Sequence, residues 1–485
     1  MASFVRIAKT TFLDGRFPVF KNISFEITKN QNWAVVGAVG SGRTTFLKCL
    51  KGSYTPSPAT NFKYPFLSDT NKSPWQAIQF LDFQSSGLQR AAYYSERYHS
   101  HRDKREDISL QKWLLDAYRG PEEKALEKVQ YAASITRLEH LLESSLINLS
   151  NGQSRRAMLA VKLLLESQLL LLDEPYAGLD VASRSIVSNL LGNMSSVCSP
   201  KIVLSLRQQD EIPDFVTHIV ELNNHEITYQ GVKDHYHPSL NSAVLTKPQL
   251  EDTKPPKIGK PIIEMNNLNC TYWGKPVLEN VNWTIKEGER WSLSGSNGSG
   301  KTTLLAFALG DHPKLFATDI KFFGKFIGPG TGISVFDIQE NVGHCSPEVH
   351  THFPKEFTCR ETLLSAWSTT FTLPRETESR SEAIRKLLDE LSLRSFENIP
   401  LSQLPTGMQR FILFCRAIIK RPRFLVLDEP FQGVDIRYMH QAHKWLNKNL
   451  LPSQAMVIIS HYEEEIPACV NARAHVHQGK LRIDT

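Results

Sequence analysis

Apolar and polar residues alternate from Asn22 to Thr28, as expected of a strand with one buried face, and an earlier strand is read at Phe4–Ile7. Trp33-Ala-Val-Val36, Leu169–Leu172 and Phe424–Leu427 are short unbroken apolar runs, which predict strands buried on both faces. Residues 85–145 and 360–403 are helix-rich by pattern. Buried strands alternating with helices predict an α/β fold with parallel-sheet cores and helical subdomains.

Two of the apolar runs lead into glycine loops. After Trp291-Ser-Leu-Ser294 comes Gly295-Ser-Asn-Gly-Ser-Gly-Lys-Thr-Thr303, and after Trp33–Val36 comes Gly37-Ala-Val-Gly-Ser-Gly-Arg-Thr-Thr45. The later loop fits the phosphate-cradling pattern G-x-x-x-x-G-K-[ST], in which glycines let backbone N–H groups close on an oxyanion at a helix N-terminus. Gly295, Asn297, Gly298, Gly300 and Thr303 build that cradle, Lys301 reaches the outer phosphates, and Thr302 offers a hydroxyl to Mg²⁺. The earlier loop presents Gly37, Gly40, Gly42, Thr44 and Thr45 in the same places, with Arg43 where the lysine should stand. Arginine keeps the charge, but its planar fork does not copy an ammonium.

The loops lie 258 positions apart, and the Asp-Glu-Pro triplets beginning at Asp173 and Asp428 lie 255 apart. A nearly constant spacing marks a tandem duplication. The reading is two P-loop NTPase domains in tandem, residues 1–236 and 262–485, joined by a proline- and lysine-rich linker at 237–261.

Each triplet ends a buried strand and delivers two adjacent carboxylates. In a phosphoryl-transfer site the first (Asp173, Asp428) holds Mg²⁺ and the second (Glu174, Glu429) orients the attacking water.

Composition narrows the picture only a little. The seven cysteines are scattered with no C-x-x-C pair, which argues against a disulfide framework or a zinc module. No apolar stretch is long enough to span a membrane. The net charge of +6 is dispersed, and the dense charge run His99–Asp107 mixes signs, so nucleic acid is not indicated. The pairs His235/His237 and His350/His352 lack further ligands nearby and are read as surface histidines. The setting is cytoplasmic, with a mitochondrial alternative from the acid-free, basic first residues.

Upstream of the first triplet, Leu149-Ser-Asn-Gly-Gln153 resembles the L-S-G-G-Q signature of the ATP-binding-cassette superfamily, and the resemblance covers nearly all of both copies. It implies cassettes that sandwich two ATP molecules, each site taking its loop, acids and histidine from one copy and its signature from the other. Site two would then combine Lys301, Thr302, Asp428, Glu429 and His461 with Ser150, Gly152 and Gln153. Site one would combine Arg43, Thr44, Asp173 and Glu174 with Pro405 and Gly407, the signature serine being replaced by Pro405 unless Thr406 substitutes.

The family histidine on the γ-phosphate matches His461, and Leu206 is placed at the equivalent position of the first copy. Tyr272 or Trp273, and Phe12, are candidates for stacking the adenine, with plain core as the alternative for either. The family glutamine that senses the γ-phosphate matches Gln84, with Glu348 a doubtful counterpart in the second copy. Within the superfamily the chain is most similar to the soluble tandem ATPases of the ModF type and their fungal relatives. The resemblance implies an Mg²⁺-dependent ATPase acting on an unknown protein partner, with both cassettes in one chain compatible with a monomer. A transporter engine with a separate membrane subunit and an ATP-gated binding module are the alternatives.

Overall fold

The computed structural model describes residues 3–38, 40–68, 72–83, 108–146, 149, 151–179, 181–198, 200–208, 210–237, 258–272, 275–328, 330, 333–368 and 371–484. These divide into two compact units, one holding the described residues up to 237 and the other those from 258 onward. Gln84, Ser150, Trp273, the charge run at 99–107 and most of the linker lie outside the described residues.

In the first unit β1 (Ser3–Asp14) and β2 (Phe17–Thr28) form an antiparallel hairpin, extended by β4 (Thr55–Ser57) and β5 (Phe62–Lys63) on β1. The core sheet has the order β10-β9-β3-β8-β7-β6, from β3 (Trp33–Gly37), β6 (Ile78–Asp82), β7 (Leu169–Asp173), β8 (Lys201–Leu206), β9 (His218–Asn223) and β10 (Glu226–Val232). All but β10 run parallel. The four leucines of β7 are 0% exposed, each burial contributing roughly 2 kcal/mol. Helices Leu110–Ala117 and Ala125–Ile135 pack against Asn151–Leu164 as a separate helical cluster.

The second unit repeats the plan. β11 (Pro261–Tyr272) and β12 (Lys275–Lys286) pair, with β14 (Asp319–Phe322) on β11 and β15 (Lys325–Phe326) beyond it. The core sheet runs β16-β17-β18-β13-β19-β20, from β13 (Arg290–Ser294), β16 (Val342–Cys345), β17 (Phe424–Asp428), β18 (Ala455–Ile459), β19 (Ala472–His477) and β20 (Lys480–Asp484). Helices Cys359–Leu364, Glu378–Glu390 and Thr406–Ile419 pack together as its helical part.

Three sequence expectations change here. Phe12 is 0% exposed and packs edge-on against Phe62, so it is core and has no face for an adenine. His350 is no surface residue: it is half-buried, its Nε2 sits 3.0 Å from Gln409 Oε1, and burial pushes its pKa down to about 3. His352 is half-buried as well, with Nδ1 3.0 Å from the Glu348 carbonyl, whereas His235 and His237 are exposed as expected. The six described cysteines with placed side chains are all free and buried. No helix among the described residues is long and apolar enough to cross a membrane.

Candidate nucleotide-binding sites

In each unit the central parallel strand hands over to a glycine loop and then to a nine-residue helix, Arg43–Lys51 or Lys301–Leu309. Both helices start from a left-handed glycine, Gly42 at φ 98° and Gly300 at φ 105°, which side chains rarely adopt. The first glycine of each loop is needed for closeness instead. A Cβ on Gly37 would lie 2.4 Å from Ser41 Oγ, and one on Gly295 would lie 2.4 Å from the Val476 carbonyl. Ser41 Oγ and Ser299 Oγ are buried without a hydrogen-bond partner inside the two cradles. Orphaned polar atoms in a loop of this shape fit a polar ligand such as a phosphate.

The positive residues behave differently. Lys301 is 8% exposed and its ammonium donates to the carbonyls of Gly295 (2.6 Å) and Ser296 (2.9 Å), curled back over its own loop. A phosphate oxygen, being charged, would be a stronger acceptor for that ammonium than these neutral carbonyls. Arg43, 5% exposed, instead sends Nη2 to Glu174 Oε1 at 2.7 Å, while its Nη1 is buried without a hydrogen-bond partner.

The adjacent acids follow suit. β7 ends at Asp173, which is buried and accepts Ser205 Oγ at 2.6 Å, and Ser205 Oγ also takes the Glu174 backbone N–H at 2.8 Å. Burial raises the Asp173 pKa, opposed by hydrogen bonds from Ser205 and Thr44. In the second unit burial, with Glu429 next to it, pushes Asp428 up to about 8, and Glu348 adds to the rise while Lys301 opposes it. Burial also acts to raise Glu429, yet the hydrogen bond and charge of His461, with Arg410 and Lys301, outweigh it and hold Glu429 below the usual carboxylate range. Adjacent carboxylates at a strand end beside the loop want a cation, and the hard-oxygen set fits Mg²⁺ at Asp173 and Thr44, which are hydrogen-bonded to each other, with Asp428 and Thr302 as counterparts in the second unit. Both glutamates sit in left-handed backbone at φ 46°.

His461 Nε2 lies 3.1 Å from Glu429 Oε1, with both side chains largely buried. The strand register identifies its counterpart. Trp33 pairs with Val203 as Trp291 pairs with Val457, so the residue matching His461 is Arg207 and the one matching Ser460 is Leu206. The assignment of Leu206 to the histidine position is therefore off by one. Leu206 is 1% exposed and belongs to the core, while Arg207 is 4% exposed and bound to Asp210, Nη2 to Oδ1 at 3.2 Å. A signal for this was present in the sequence, since Glu211-Ile-Pro213 and Glu465-Ile-Pro467 lie 254 positions apart rather than 255.

Other expected residues are placed less centrally. The Tyr272 hydroxyl sits 2.5 Å from His312 Nε2, and Lys314 Nζ stands 5.6 Å from the half-buried ring. Gly152 and Gln153 lie in the first turn of helix Asn151–Leu164, and Pro405 is the N-cap of Thr406–Ile419 with Gly407 buried in its first turn and Thr406 exposed. Glu348 lies in the first turn of the short helix Pro347–His352 after β16, and its charge contributes to raising Asp428. Thr45 and Thr303 belong to the first turns of their loop helices.

A parallel-sheet core, a glycine loop at the end of its central strand and paired acids on the neighbouring strand define phosphate-loop nucleotide-binding units, here two in one chain. The sequence profile of the ABC transporter family matches residues 20–177 and 278–432, and the chain belongs to that family as a tandem-cassette ATP-binding protein. It is 68% identical over 485 residues, 100% of each chain, to an uncharacterized ABC transporter ATP-binding protein of Schizosaccharomyces pombe (strain 972 / ATCC 24843). It is 28% identical over 92% of its length, and 91% of the other's, to the ABC transporter ATP-binding protein ModF of Escherichia coli (strain K12). Among solved structures, RNase-L Inhibitor shares the fold over 99% of this chain and 90% of its own at a TM-score of 0.56 and 14% identity.

Proposed function

We propose that the chain is an ATPase that closes its two cassettes around two ATP molecules and hydrolyses mainly at site two, driving a change in a protein partner. The domains are taken as 1–236 and 262–485 with a linker between. The observation that carries the reading is the exchange of partners on the catalytic glutamate: Glu429 faces His461, whereas Glu174 is tied to Arg43.

In site two Glu429 accepts the proton side of the attacking water and orients it, and its lowered pKa keeps it ionised for that role. Lys301 leaves its loop carbonyls to meet the outer phosphates, and His461 holds the γ-phosphate while fixing Glu429. Mg²⁺ bound by Thr302 and Asp428 would supply charge neutralisation on the phosphates. Gly152 and Gln153 of the other cassette, in the first turn of their helix, would complete the cage together with Ser150. Tyr272 offers a ring to the base.

Site one has Thr44 and Asp173 for a cation, but its water-orienting carboxylate is neutralised by Arg43 and its histidine position carries Arg207 held by Asp210. Such a site suits binding more than turnover, with Gln84 and the Pro405–Gly407 signature completing it. Steady-state phosphate release checks this: Glu429→Gln should lose nearly all turnover and Glu174→Gln should keep most of it. Equal losses would overturn the asymmetric reading.

A second reading is that the chain drives a separate membrane subunit in the cytoplasm or a mitochondrion. It is favoured by the match to the transporter family in a chain whose described helices cannot span a bilayer. Recovery of the Glu429→Gln form with ATP in the membrane fraction, bound to such a subunit, would support it over a free-standing enzyme.

A further inference from the structure

A cleft of about 1090 Å³ opens in the first unit, far from its phosphate loop. Its walls come from the start of β1, the turn before β3, the segment around Phe66, helix Ala125–Ile135, the end of helix Asn151–Leu164 and the entry to β8. The turn at Lys29–Asn30 precedes β3, while Gly37 ends it. Cleft and loop thus occupy opposite ends of the core sheet, separated by a five-residue strand, roughly 16 Å.

The lining is strongly one-signed. Lys29, Lys72, Lys128, Lys162 and Lys201 face it with Glu166 as the sole acid among the described lining residues. Glu166 is already engaged, its carboxylate 3.2 Å from Lys128 Nζ and its carbonyl 3.4 Å from Lys72 Nζ. Lys162 donates at 3.1 Å to the neutral Gln79 side chain, and burial, with Lys51 nearby, lowers its pKa. A half-buried ammonium with a neutral partner is costly to keep unless a negative group shares its site.

The charges enter from five separate segments and converge on a concavity, instead of running as a stripe along the surface. A stripe would suit the backbone of a nucleic acid, whereas convergence on a volume near that of ordinary ligand pockets suits a compact ligand. Lysines, being flexible point charges, suit phosphate oxygens without demanding the bidentate geometry of arginine. The half-exposed Tyr131 and the stacked pair Phe4–Phe66, 4.0 Å between ring centres, add apolar wall.

We propose that this cleft is a second ligand site, distinct from both nucleotide loops, for a small multiply charged anion of the phosphate-ester type. The probe for its test is pyrene-1,3,6,8-tetrasulfonate, followed by fluorescence on the full chain at moderate salt. Saturable one-to-one binding is expected, weakened at least about tenfold in Lys162→Gln/Lys201→Gln. The rim pair Lys29→Gln/Lys72→Gln should weaken it several-fold and serves if the first variant folds poorly. Lys301→Ala should leave it unchanged. Absent binding, wild-type affinity in both lysine variants, loss confined to Lys301→Ala, or tighter binding of a 20-nucleotide single-stranded RNA than of the probe would each overturn the proposal.

Discussion

The two cassettes share strand order, loop geometry and even the left-handed glutamate, yet the same carboxylate has opposite neighbours. In the second unit Glu429 faces His461; in the first, Glu174, 12% exposed, is held by Arg43. A fold can be copied faithfully while its chemistry is edited by one or two charge partners. Arg43 and Arg207 make that edit, each neutralised by its own acid.

The difference can be tested from its largest effect downward. His461→Ala should lower steady-state turnover by about 100-fold, whereas Arg207→Ala should change it less than about twofold; comparable losses would mean that both sites turn over. Arg43→Met takes the arginine away from a largely buried carboxylate and should destabilise the first unit by about 3 kcal/mol in denaturant unfolding. Adding Glu174→Gln should restore most of that, and failure of the double variant to recover would show that the pair is not what Arg43 contributes.

The signature glycines offer a milder contrast. A Cβ on Gly407 would meet the Gly433 carbonyl at 1.9 Å, while one on Gly152 finds only Ser183 side-chain atoms at 3.2 and 3.4 Å and, beyond them, Leu179. Gly407→Ala should therefore cost about 2 kcal/mol, and Gly152→Ala about nothing, because helix propensity offsets the contact. Thermal unfolding of the two variants measures this.

The smallest effect is acid sensitivity. Burial holds His312, His344 and His443 at about 4 and His350 at about 3 in the second unit, while in the first His218 alone among described histidines is resolved as lowered, also by burial. The unfolded chain binds these protons near pH 6.5 and the folded unit does not, so stability is full above about 6.5 and falls as pH drops toward 4. Hydrogen exchange followed by unit from pH 7 to 4.5 should show the second unit loosening first.

Much of this was legible in the sequence because loops, acids and signature recur at nearly fixed spacing, and buried parallel strands advertise themselves as leucine and valine runs. What failed was local. Phe12 and Tyr272 look alike as aromatics near a strand end, and only packing separates a core ring from a half-exposed one. The histidine counterpart was misplaced because one residue is lost between the Asp-Glu-Pro and Glu-Ile-Pro landmarks, and a parallel ladder carries that slip into every pairing. That Arg43 answers Glu174 was invisible, since the two lie 131 positions apart.

The shared φ of 46° at Glu174 and Glu429 has a consequence for evolution in the laboratory. A bulky residue held in left-handed backbone carries a strain of order 1 kcal/mol, which asparagine or glycine would relieve. At 429 that relief would trade against the proposed water-orienting role. At 174 it would instead strand the buried Arg43 guanidinium, so a library selected for thermal tolerance should lose glutamate there only together with a change at Arg43.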